Sequence, residues 1–216
     1  MRTIRVTGKA ILEVKPNQTQ IILQMKGIEK EYIDVIKHTA NDLDLVKKSL
    51  KKCGIDSDKI STKYLDIYEK TEYRKDDNGY AREYHIGFSY SHALSVIIGI
   101  DNKLLGKILY EASKLENTPS ISIEYKVENP EKYKSELIDL AVKDAKRKAE
   151  VMAKASEVNL GKIMNISYSY SKIILHSNNY DLSVPKLLNC ENSIDIDINP
   201  EKINVTDSIS VVWEIE

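Results

Sequence analysis

The sequence predicts an α+β protein: mostly antiparallel sheet, with three helices packed on one face, in the approximate order ββαββαβαββ. Three observations carry this reading. Apolar and polar residues alternate in several short runs, the first through Ile4, Val6, Gly8, Ala10 and Leu12, as a half-buried strand requires. Three longer stretches carry helical spacing instead. The longest covers residues 130–158, where Ala141, Ala145, Ala149 and Ala153 recur every four residues, with Leu137, Ile138, Val142 and Met152 beside them. The β-like runs also follow one another through short turns, which favours hairpins and hence antiparallel pairing.

In chain order, Pro16-Asn17 turns the first strand into a second through Thr19, Ile21, Leu23 and Met25, so the opening reads as an antiparallel hairpin. Residues 29–52 form a helix that Gly54 ends after three closely spaced lysines. Residues 60–73 are a strand whose alternation changes face near Tyr64, the mark of a bulge. Asp76-Asp-Asn-Gly79 is a turn, and residues 80–99 continue as strand. Asp101 caps a helix reaching about Leu115. Ile121, Ile123, Tyr125 and Val127 give a strand, and Asn129-Pro130 opens the long helix, which Asn159-Leu-Gly161 closes. Residues 163–175 are a Tyr- and Ser-rich strand, residues 176–192 a polar loop, and residues 203–215 the last strand. The alanine stripe is a packing device: small side chains let a helix lie close to a sheet.

At 216 residues the chain can bury a core in one domain, or in two α+β lobes with a boundary near residues 100–128. Hydrophobic content of 42% and charged content of 30% describe a globular chain, not a disordered one. A net charge of −1, with lysines and acids interspersed, offers no general attraction for nucleic acid or anionic membrane. No apolar run is long enough for a transmembrane helix. Strand alternation begins with the first residues and no apolar leader precedes it. The chain as written therefore reads as cytoplasmic; removal of a leader would make it periplasmic or otherwise extracytoplasmic.

No residue pattern marks a catalytic centre, and no catalytic, cofactor-binding or metal-binding residue is assigned. The histidines His38, His85, His92 and His176 lack a metal-ligand spacing. His38 lies mid-helix, at a surface or boundary position. His85 and His92, seven apart, face opposite sides of an unbroken strand. Asp195 and Asp197 alternate with Ile194, Ile196 and Ile198; they would offer two carboxylates to a hard cation, or simply form the wet face of a half-buried strand. Cys53 continues the helix stripe of Ile36, Leu43, Val46 and Leu50 and reads as a buried thiol; Cys190 sits in the polar loop, and a disulfide between them stays open. No GxSxG, SxxK or phosphate loop occurs. Thirteen tyrosines against one phenylalanine, among them Tyr80, Tyr84, Tyr90, Tyr168 and Tyr170 in β-like runs, suit surfaces where rings bury and hydroxyls stay wet. That favours protein–protein contact, with a homo-oligomer as the expected partner state.

Several segments in order resemble the SIMPL-domain family. They are Val6-Thr-Gly-Lys-Ala10, Gly54-Ile-Asp-Ser-Asp-Lys-Ile-Ser-Thr62 with Leu65-Asp-Ile67, Tyr90-Ser-His-Ala-Leu-Ser-Val96 with Leu104-Leu-Gly-Lys-Ile108, the alanine helix with Leu160-Gly-Lys-Ile163, and residues 198–206 leading to Trp213-Glu-Ile215. The resemblance covers nearly the whole chain and implies a single SIMPL-like domain over residues 1–216. It implies no agreed biochemical activity and no cofactor. Taken with the absent catalytic pattern and the tyrosine-rich strands, the resemblance leads to the expectation of a non-catalytic, self-associating bacterial protein related to envelope or stress biology. Two alternatives stay open: a hydrolase with a cleft site, and a signalling adaptor.

Overall fold

The computed structural model describes residues 2–75, 80–168, 175–177, 180–182 and 196–216. Its elements are β1 (Arg2–Val14), β2 (Gln18–Glu29), α1 (Tyr32–Lys52), β3 (Ile60–Lys75), β4 (Ala81–Gly99), α2 (Asn102–Ser113), β5 (Ser120–Lys126), α3 (Pro130–Ala155), β6 (Leu160–Ser167), β7 (Tyr180–Leu182) and β8 (Ile203–Ile215). This is the expected α+β class. The chain forms two compact units, one drawn from residues 1–17, 126–177 and 200–216, the other from residues 18–125 and 178–199.

In the first unit, β1, β8 and β6 form a three-stranded sheet in that order. β1 and β8 pair antiparallel along their whole length, from Arg2 opposite Ile215 to Val14 opposite Ile203. Alternation then places Val6, Gly8 and Ala10 on one face, where α3 packs. The alanine stripe does what its spacing predicts: Ala141, Ala145 and Ala149 are buried with Val6, Leu137, Val211 and Trp213. The approach is close enough to require glycine at position 8, because a Cβ there would lie 1.9 Å from the Ala141 carbonyl oxygen and 2.5 Å from the Ala145 nitrogen. Asp144 fastens the helix to the strand edge by accepting the Lys9 backbone N–H at 2.9 Å. Lys148, that N–H and Arg147 together hold its carboxyl well below the usual range. Asn129 caps the helix by accepting from the Lys132 N–H. The helix closes earlier than the sequence suggested. It ends at Ala155, Glu157 takes the left-handed φ of 57°, and the Val158 N–H returns to the Ala153 carbonyl. Gly161 lies inside β6 instead.

In the second unit the strands run in the order β3-β4-β2-β5-β7. The opening hairpin is therefore not formed. β2 pairs antiparallel with β4, from Gln18 opposite Gly99 to Glu29 opposite Phe88, while β1 belongs to the other sheet. The turn before β2 is held by another crossing of the chain: the Asn17 N–H donates to the Lys126 carbonyl, and the Asn17 side chain accepts from the Glu128 N–H. Helices α1 and α2 cover the sheet. Val46, Leu50, Leu105, Ile108 and Leu109 meet Ile21, Leu23, Met25, Leu94 and Val96 in one core. α1 exits as expected, with Gly54 at φ 81° and the Ile55 N–H bonded to the Leu50 carbonyl. Asp101 caps α2 by accepting from the Leu104 N–H. The bulge expected near Tyr64 is present between Thr62 and Tyr64, and a second register shift falls at Lys70/Thr71.

Candidate functional site

Polar side chains from three elements and a turn converge beside a cavity in the second unit, where the end of β2 passes beneath α1. His38 and Asp42 are one helical turn apart on α1 and so share a face. Glu29 closes β2. Tyr90 stands on β4 directly opposite Gly27 of β2. That glycine is a requirement of space, since a Cβ would come within 2.6 Å of the Tyr90 ring. Asn117 comes from the turn after α2.

The ring of His38 lies between two carboxylates, with Nδ1 2.9 Å from Glu29 Oε1 and Nε2 3.7 Å from Asp42 Oδ1. Asn117 uses its amide to join two of the groups, donating to Asp42 Oδ2 at 2.9 Å and to the Tyr90 hydroxyl oxygen at 3.2 Å. Tyr90 also hydrogen-bonds with Asp42. Burial first, then the charges of Asp42 and Glu29, push its hydroxyl up to about 12. It therefore stays a neutral donor. These groups border a half-open cavity of about 360 Å³, with Lys26, Asn41, Leu45 and Glu116 completing its wall.

His92 stands two residues along β4 from Tyr90, on the same strand face. It is 4% exposed, and its Nδ1 has no hydrogen-bond partner. Burial pushes its pKa down, against the opposing pull of Asp42. The sign of the resulting pH dependence is fixed. With its folded-state value depressed, the unfolded chain takes up the proton first, so stability is full above about pH 6.5. It falls as pH drops, by at most about 1.4 kcal/mol per pH unit, until the folded value is reached. Thermal midpoints should decline from pH 7.5 to pH 5, and His92→Phe should flatten that decline; an unchanged slope in the variant would show that His92 is not the group responsible.

The other residues singled out from the sequence are scattered. His38 is at a boundary position, as expected. His85 does not obey the opposite-face rule, because the strand is not unbroken: the shift at Lys70/Thr71 re-phases it. Its ring meets Phe88, 5.2 Å between centroids, and its Nδ1 meets Glu69 at 2.7 Å. His176 bridges to Lys126 in the first unit. Cys53 is buried, and burial pushes its thiol up. Asp197 is exposed in a stretch without strand structure, so the expected strand is absent over residues 196–198, although Ile196 and Ile198 pack on the core. Tyr168 donates to Asp207 at 2.8 Å. Asp195, Cys190 and Tyr170 lie outside the described residues, as does the turn at residues 76–79. Among the described residues no three His, Cys, Asp or Glu side chains are arranged to hold a metal ion. Sequence reasoning missed the cluster itself. The available signal was an acid, Asp42, in the buried stripe of a helix one turn after a histidine.

The SIMPL family model, described as "Protein of unknown function (DUF541)", matches residues 4–213. The chain belongs to the SIMPL family. This SIMPL protein is 27% identical over 164 residues to the 26 kDa periplasmic immunogenic protein of Brucella abortus, a match covering 76% of this chain and 65% of that protein. The corresponding Brucella melitensis protein is 26% identical over the same shares. The uncharacterized protein YggE of Edwardsiella ictaluri is 23% identical over 169 residues, 76% of this chain and 67% of its own length. The match thus spans slightly less than two thirds of the Brucella proteins. No helix among the described residues of this SIMPL protein is long and apolar enough to cross a membrane.

Proposed function

We propose that this SIMPL protein works without bond-making chemistry, by associating with copies of itself through β3 and the ribbon that β3 forms with β4. One observation carries the reading. β4 pairs with β2 only from Phe88 onward, whereas Thr71–Lys75 pair with Ala81–His85 as two strands alone. On and beside that ribbon Tyr73 is 71% exposed and Tyr80 73%. A two-stranded ribbon is marginal in water, and a terminal strand offers its outer edge for pairing. Covering the ribbon with a second copy would remedy both. The charges along β3 (Lys63, Asp66, Glu69, Lys70, Glu72, Arg74) limit that pairing to a complementary register.

Size-exclusion chromatography with light scattering tests this. At high micromolar concentration the mass should be a multiple of 24.6 kDa. Replacing Tyr73 and Tyr84 with lysine should weaken the association about ten-fold or more, the scale of losing a central aromatic contact. A wild-type chain that stays monomeric throughout would refute the proposal. The Brucella relatives are named as periplasmic proteins, which supports an extracytoplasmic site of action. Cell fractionation tests that location, and recovery with a cytoplasmic marker would count against it.

A second reading rests on the cavity. His38 held by Glu29 has the form of a general base for water, which would make the protein a hydrolase. Turnover of ester or phosphoester substrates that is lost in His38→Ala would establish it.

A further inference from the structure

In the second unit, apolar side chains are left in water where α1 stops short of the sheet edge. Helix α1 packs on β2 and β4, and β3 lies beyond them as the outer strand. One flank of α1 sets His38 and Leu45 over Gly27 and Glu29 of β2, so the opposite flank looks toward β3. Tyr32 and Ile36 stand one turn apart on that flank. The Tyr32 ring meets Phe88 of β4 edge-on, 5.7 Å between centroids. Leu65 of β3 lies opposite His92, which in turn lies opposite the core residue Met25, so Leu65 is on the helix side of the sheet. Tyr32, Ile36 and Leu65 are 53%, 39% and 42% exposed. Together they line an apolar corner between a helix and a strand.

The ribbon of β3 and β4 has the matching shape. It leaves the sheet at a fixed bend. The pairing shifts at Lys70/Thr71, and Gly87, opposite Lys70, takes a φ of 136° with room for no Cβ, which would lie 2.2 Å from the Glu29 carbonyl oxygen. Tyr73 pairs with Glu83 and Tyr84 with Glu72, so the two exposed rings stand on opposite faces of the ribbon. Edge-to-edge pairing would leave both in water, because they project above and below the plane of the strands. A corner with two walls encloses them.

We propose that the ribbon of each copy lies in the corner between α1 and β3 of a second copy, in a reciprocal exchange about a two-fold axis. This inference rests on the self-association proposed above and names the surface that receives the ribbon. Burying Tyr32, Ile36, Leu65, Tyr73 and Tyr84 removes roughly 500 Å² per copy. The polar chain around them brings the total toward the ~800 Å² per partner that a stable dimer needs. The bend at Gly87 sets the direction of the arm before binding and so lowers the cost of ordering it.

Light scattering on two double variants and their mixture tests the exchange. Ile36→Glu with Leu65→Glu, in the corner, should weaken association at least about ten-fold. An equimolar mixture of that chain with the Tyr73→Lys, Tyr84→Lys chain should associate at least about ten-fold more tightly than either alone. Only the mixed pair keeps one intact ribbon in one intact corner, and its other contact sets lysine against glutamate. A corner variant that associates like wild type, or a mixture no tighter than its components, overturns the exchange and leaves pairing along the β3 edges standing. A monomeric wild type removes both. Circular dichroism checks that the variants fold. If the glutamate variant does not, Ile36→Thr with Leu65→Thr replaces it. Its association should weaken at least about three-fold, and an unchanged association overturns the exchange equally.

Discussion

Gly8→Val should unfold the first unit or destabilise it by at least about 3 kcal/mol, beyond the usual cost of overpacking. The reason is that the obstacle is backbone. A Cβ at position 8 meets the Ala141 carbonyl oxygen and the Ala145 nitrogen of α3, and a helix backbone cannot step aside as a side chain tip can. To accept valine, α3 would have to lift off β1. That would break the contact between Asp144 and the Lys9 N–H and open the core around Trp213. Trp213 is the only tryptophan in the chain, so its fluorescence during urea denaturation reports this unit directly. Gly99→Ala is the matched control, because nothing lies within 4 Å of the added Cβ there. Its effect should stay within about 0.5 kcal/mol. A Gly8→Val protein with the wild-type midpoint would mean that α3 is not seated on β1 as described.

Leu94→Ala should cost the second unit about 2–5 kcal/mol, the range for emptying a closed core site. Leu94 is fully buried. It lies on the central stretch of β4, opposite Leu23 of β2 on one side and Thr62 of β3 on the other, and beneath the helices α1 and α2. Neighbours fixed in two strands and two helices cannot collapse into the space that truncation leaves. Ile97→Ala on the same strand is the contrast, since that side chain is half exposed and should lose little. Far-UV circular dichroism during urea unfolding separates the two variants. Similar losses for both would indicate that the core is not centred where Leu94 stands.

Much of the local structure was legible because its causes are local. The alternation of β1 and β8, the cap at Asp101, the left-handed exit at Gly54 and the bulge near Tyr64 each follow from a few adjacent residues and their backbone preferences. The alanine helix was the clearest case, because four small residues at one spacing have a single packing use. Pairing partners were not legible. β1 and β2 are separated by a short turn and both alternate, which is all that a hairpin signal requires, yet β1 found β8 near the far end of the chain. Alternation sets which side of a strand is wet; it does not say which strand lies alongside. The misreading of His85 has a similar origin, since face parity survives only while no residue is inserted, and the shift at Lys70/Thr71 inserts one.

The sequence by itself determined most of the strands and helices, and which family they compose, because those properties depend on side-chain periodicity within one element. The tertiary structure alone decided the polar cavity. Glu29, His38 with Asp42, Tyr90 and Asn117 come from a strand end, a helix, a second strand and a turn, and no spacing along the chain ties them together. Their proximity follows from β2 lying beside β4 under α1, a pairing of distant segments that no local periodicity encodes.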